Sequence, residues 1–118
     1  MTHVISAQNA EHYVWGDRAD GWHLLKSDDL SVIEERVPPG VGEVRHYHDL
    51  AQQFFYVLAG VAELEVAGQV HRINANSGLH VAAGVPHQLH NPGPQACRFL
   101  VISQPKSHGD RVLAPATS

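Results

Sequence analysis

His46 and His48 stand one residue apart in EVRHYH, residues 43 to 48, a segment that reads as extended. Strand side chains repeat with period two, so both imidazoles leave one face at a spacing that can chelate an ion. His87 lies about forty residues later in a different short segment. Gln53 heads the apolar run QFFYVL with the parity of Phe55 and Val57. If those parities face inward, one pocket collects imidazoles from distant segments. The chain holds 10 His against two Lys, and neutral imidazole is the commonest metal ligand among side chains.

The other histidines read as solvent-facing: His90 has the opposite parity to His87, His71 sits in a short polar strand and His80 is beside a turn. Arg45 and Tyr47 alternate with the histidine pair and point away from it. His108, Asp110 and Arg111 follow the last long strand beside Gly109, where they could fold over the barrel mouth or make a packing or dimer contact. With Tyr56, His108 and Asp110 are the candidate acid or base groups, none of them placed by the sequence. Cys97 is the only cysteine, which excludes an internal disulfide and a thiolate cluster and suits a small buried hydrophobe.

The elements that must position these groups are short. From Trp22 onward, segments of roughly five to eight residues end at turn formers, the spacing of an all-β sandwich or barrel. WHLLKS (22–27) and LSVIEERV (30–37) form a hairpin stopped by Pro38-Pro39-Gly40. QFFYVL, VAELEV and QVHRIN make a meander, followed by LHVA, PHQLHN and ACRFLVIS, and the total is about nine strands. In VAELEV, Val61, Leu64 and Val66 would cover a core while Glu63 and Glu65 face water. Trp15 and Trp22 read as core aromatics, with capping of an open barrel end as the alternative. Short antiparallel strands in one domain remove their edges by closing or stacking, which predicts a small barrel or a jelly roll. The expected organisation is a single domain over 1–118: an arm over 1–21, the barrel over 22–103, and a C-terminal segment over 104–118. The small-residue tail from Leu113 to Ser118 is expected to fray.

Composition narrows the function. An apolar fraction of 43% and a net charge of -4, from 8 basic and 12 acidic side chains, suit one folded core and offer no basic face for nucleic acid. The longest apolar stretch, Phe54 to Ala59, is too short for a membrane span or a signal-peptide core. A soluble cytoplasmic protein is expected. The hairpin from Trp22 to Val37 offers an open edge, from which a homodimer is expected.

The chain resembles the cupins. Their first motif, G-x5-H-x-H-x4-E-x6-G, is matched by Gly40, His46, His48 and Gly60, with Gln53 where cupins usually place glutamate. Their second, G-x5-P-x-G-x2-H-x3-N, is matched by Gly84, His87 and Asn91, with Asn76 and Ala82 replacing its first glycine and proline. The chain is similar to small single-domain cupins of the mannose-6-phosphate isomerase-like group, and VISQPKSHGDR (101–111) to the C-terminal signature of one such group. The resemblance implies the cupin double-stranded β-helix and one divalent ion per chain, zinc, nickel, manganese or iron. It implies His46, His48 and His87 as imidazole ligands, with Gln53 as a fourth through its amide oxygen. Gln53 could instead hydrogen-bond a ligand imidazole or a metal-bound water. Three imidazoles and an amide would leave the ion its full charge, which suits anionic ligands and departs from the two-His-one-carboxylate set of many ferrous oxygenases. The implied function is that of a metal-dependent enzyme, isomerase- or dioxygenase-like, acting on a small polar or anionic molecule such as a sugar or keto acid. The alternatives are a binding or sensing module without turnover, and a structural dimer stabilised by the ion.

Overall fold

The computed structural model describes residues 2–115; residues 116–118 of the tail expected to fray lie outside them. Eleven strands run in chain order: β1 (Glu11–Trp15), β2 (Ala19–Lys26), β3 (Ser31–Val37), β4 (His46–His48), β5 (Gln52–Ala59), β6 (Val61–Val66), β7 (Gln69–Asn74), β8 (Gly78–Val81), β9 (His87–His90), β10 (Cys97–Gln104) and β11 (Arg111–Leu113). They form a six-stranded sheet, β1-β2-β3-β10-β5-β8, and a five-stranded sheet, β11-β4-β9-β6-β7. Every pairing is antiparallel. The all-β double-stranded β-helix is therefore the fold.

The inward residues of the larger sheet form rows across the strands. One row is Tyr13, Gly21, Glu35, Phe99, Val57; the next runs from His23 through Ile33, Val101 and Phe55 to Leu79; a third joins Ser31, Ser103, Gln53 and Val81. Opposite them, β6 and β9 supply Ala62, Leu64 and Leu89, all buried. Phe55 and Phe99 pack with ring centroids 6.2 Å apart, and burial of such side chains is the main favourable contribution to the fold.

The hairpin, the meander and the later strands lie where their alternation places them. Two strands lie outside the expected nine. β1 falls in the stretch without clear periodicity, because this edge strand is covered on one side only and leaves Val14 64% exposed. β11 has no buried residue at all. Two readings of individual residues change. In β6 the inward parity is Ala62, Leu64 and Val66, so Val61 shares the outer face with Glu63 and Glu65; Glu65 does not stand free in water but accepts from Arg45 Nε at 2.6 Å. Trp22 is no core aromatic. As the register partner of Glu34 it lies on the outer face, with the Arg98 guanidinium 5.1 Å above its ring. Trp15 does pack against the core.

Candidate metal centre

His46 and His48 leave the inner face of β4, and His87 leaves β9 directly opposite His46 in the ladder. The ring centroids of His46 and His87 are 4.5 Å apart, those of His46 and His48 4.9 Å. One ligand nitrogen from each of the three buried rings lies within 4.8 Å of the others. A bulge aims them. Gly42 bridges His90 while His46 pairs with His87, so one extra residue lies between the two contacts. Both Val44 and Arg45 then face outward, Val44 exposed and Arg45 bound to Glu65 on the outer face.

Backbone carbonyls fix the tautomers. His46 Nδ1 donates to Val44 O at 2.8 Å and His87 Nδ1 to Val85 O at 3.0 Å. A carbonyl only accepts, so each neutral ring carries its lone pair on Nε2, the usual way in which an imidazole ligand is oriented. Burial pushes His46 and His48 down to about 4, and it lowers His87 as well. All three rings are neutral at pH 7 and free to coordinate.

Gln53 is buried on the inner face of β5, two residues before Phe55, whose ring lies 5.8 Å from that of His87. Its Nε2 donates to Ser103 Oγ at 3.0 Å, while its Oε1 has no partner. His48 Nδ1 and His87 Nε2 are likewise buried and unpartnered. Buried polar atoms without partners are costly and call for an occupant. Three neutral imidazoles with an orphaned amide oxygen on the neighbouring wall fit a divalent ion by donor chemistry.

His80 and His90 are exposed and His71 half-buried. Arg45 and Tyr47 point away from the histidines as expected. The acid and base candidates fare differently. Tyr56 has the outward parity of β5, and His108 is exposed. Asp110 accepts from the backbone N–H groups of Asp49, Leu50 and Ala51, at 3.2, 3.0 and 2.9 Å, and so ties down the loop after β4. The segment around it crosses from β10 in the larger sheet to β11 in the smaller one, where β11 pairs with β4 in register Arg111↔His48, Val112↔Tyr47, Leu113↔His46.

The interior carries two other carboxyl groups that the sequence reading passes over. Glu35 occupies an inward row and accepts from the Tyr13 hydroxyl at 3.2 Å. The Tyr13 ring reaches it across Gly21, where any Cβ would run into the ring. Glu43 takes the backbone N–H of Leu89 on Oε2 at 2.9 Å, in place of a ladder carbonyl. Burial pushes Glu35 up to about 7 and, with the charge of Glu35 added, Glu43 up to about 8. For Glu35 a signal existed: it shares the parity of Ser31 and Val37, the buried ends of its strand.

Barrel, register and histidine placement together define a cupin. The cupin domain description matches residues 33–103, and the chain belongs to that family. Over 88 residues it is 30% identical to a mannose-1-phosphate guanylyltransferase of Salmonella montevideo, covering 75% of this chain and 18% of that protein. Over 67 residues it is 28% identical to the polyketide synthase CurC of Streptomyces cyaneus, covering 57% and 44%. The chain thus spans less than half the length of these relatives. The solved polyketide cyclase RemF of Streptomyces resistomycificus superposes with a TM-score of 0.84 at 18% identity, covering 100% of this chain and 89% of that one.

Proposed function

We propose that this cupin binds one divalent ion per chain through His46, His48 and His87, with Gln53 Oε1 as a fourth donor, and acts as a metal-dependent enzyme on a small polar or anionic carbonyl compound. The observation that carries the reading is the set of three buried, neutral imidazoles whose ligand atoms converge within 4.8 Å. When bound, the ion supplies a Lewis acid that polarises a carbonyl or stabilises an enolate. Ser103 holds the Gln53 amide with its oxygen free, and the carbonyls of Val44 and Val85 hold two of the rings. Phe55 and Val101 line the inner wall and exclude water. Likeness to a polyketide synthase protein supports a keto compound as substrate class, and likeness to a mannose-1-phosphate guanylyltransferase supports a sugar phosphate.

The homodimer belongs to the same proposal but not at the expected edge, because β1 pairs with β2 and β10 with β3 and the hairpin from Trp22 to Val37 is left no open edge. Phe54 and Leu58 stand on the outer face of the larger sheet, 38% and 40% exposed, and half-buried Ile102 shares that face, an apolar surface suited to a second copy.

Elemental analysis should find about one divalent ion per parent chain, and His46→Ala, His48→Ala or His87→Ala should reduce it to near zero while the barrel stays folded. Light scattering on the same preparations should give the mass of two chains. Unchanged metal content in the three variants would reject the ligand set, and a monomer mass at micromolar concentration would reject the dimer.

A further inference from the structure

We infer that Arg111 binds the anionic end of the molecule this site takes, which makes the substrate a small carboxylate or enolate and not a neutral sugar. The inference rests on the metal-centre reading above. Arg111 is the register partner of His48. Facing residues of an antiparallel ladder project from one side with Cα atoms about 4.5–5.5 Å apart, so the arginine leaves the sheet on the face of the imidazoles. Its Nη2 donates at 3.4 Å to Val44 O, the carbonyl that also accepts from His46 Nδ1. The guanidinium therefore stands next to one histidine by register and one carbonyl away from another.

It is also free to take a ligand. Of the 8 Lys and Arg side chains, Arg18, Lys26, Arg36, Arg45, Arg98 and Lys106 each have a carboxylate within 4.0 Å. Among the described residues Arg72 and Arg111 have none. Adjacent Asp110 makes no ion pair with Arg111 and turns its carboxylate to the backbone N–H groups of residues 49–51. Arg111 is exposed. An exposed guanidinium without a carboxylate partner presents planar paired donors that match a carboxylate. A divalent ion held by neutral ligands would add a second positive charge on the same side. A carboxylate or enolate oxygen answers both, whereas a neutral sugar answers neither.

The test uses zinc-loaded protein with oxalate as the probe, titrated by calorimetry, after zinc affinity has been measured by chelator competition. The parent should bind oxalate. Arg111→Gln should weaken it at least about tenfold, Arg111→Lys should keep part of the affinity, and Arg72→Gln should leave it unchanged. Zinc should bind Arg111→Gln as tightly as the parent or more tightly, since a positive charge has left the site. The inference is overturned if Arg111→Gln takes oxalate like the parent, if Arg72→Gln loses as much, or if the zinc-loaded parent takes none. A parent that fails to hold zinc instead removes the metal-centre reading on which the inference rests.

Discussion

Leu89 and His87 lie two residues apart on one face of β9, each 1% exposed, yet they belong to opposite kinds of interior. Leu89 belongs to a cluster of buried apolar side chains that includes Val37, Val41, Leu64 and Phe99. Around His87 the walls hold His46 and His48, and buried nitrogens there have no partner. An unsatisfied buried polar group costs about 1–3 kcal/mol. The packed end can offset that cost; the site end cannot do so with protein atoms alone. Stability and chemistry thus share strands and differ by one step of the pleat.

The largest effect that would test this division is on the packed end. Phe99→Ala should lower unfolding stability by about 3–5 kcal/mol in urea titrations, while the metal content of the molecules that remain folded stays that of the parent. A selective loss of metal in folded Phe99→Ala would mean that the two ends are one unit.

Gln53→Glu sharpens the comparison from the site end. A carboxylate of nearly the same shape, steadied by Ser103 Oγ turned round as a donor, should tighten metal binding at least about tenfold, roughly 1.4 kcal/mol. Chelator competition reads this directly, and equal affinity in variant and parent would place Gln53 outside the ligand set. Anion affinity should move the other way, because part of the ion's charge is then neutralised.

A further test concerns Glu35, which lies in the row of Phe99 at the packed end. Its carboxyl has a folded value of about 7 against 4.5 for an ordinary glutamate. Below 4.5 both folded and unfolded chains keep the proton. As pH rises toward 7 the unfolded chain releases it first, so the contribution of Glu35 to stability declines over that window and levels off above it. Glu35→Gln removes the decline, so its stability relative to the parent should be greater at pH 8 than at pH 5. An equal difference at the two pH values would show that Glu35 ionises freely in the barrel.

Much of this was legible in the sequence. His46, His48 and His87 are brought together as their alternation and the resemblance to cupins imply, and Gln53 is buried with the parity of Phe55. What escaped is physical in origin. Unbroken alternation through EVRHYH puts Val44 inside with the histidines and Glu43 outside, and the bulge before His46 reverses both, a shift with no local signal. β1 and β11 escaped because edge strands bury little, so their polarity does not alternate cleanly. Trp22 was misplaced because aromatic character alone does not say which face of a strand is covered, and here Arg98 covers the outer one.

β4 is three residues long and meets β9 at a single register position, whereas β11 grips it at three. The strand that carries two of the three imidazoles is therefore braced mainly by a short, exposed C-terminal strand of the kind that frays on fast timescales. An ion held by His46 and His48 would thus depend on β11 staying paired as well as on its own bonds. A fusion or a cut just after Leu113 would act on the exchange rate of the metal from outside the barrel.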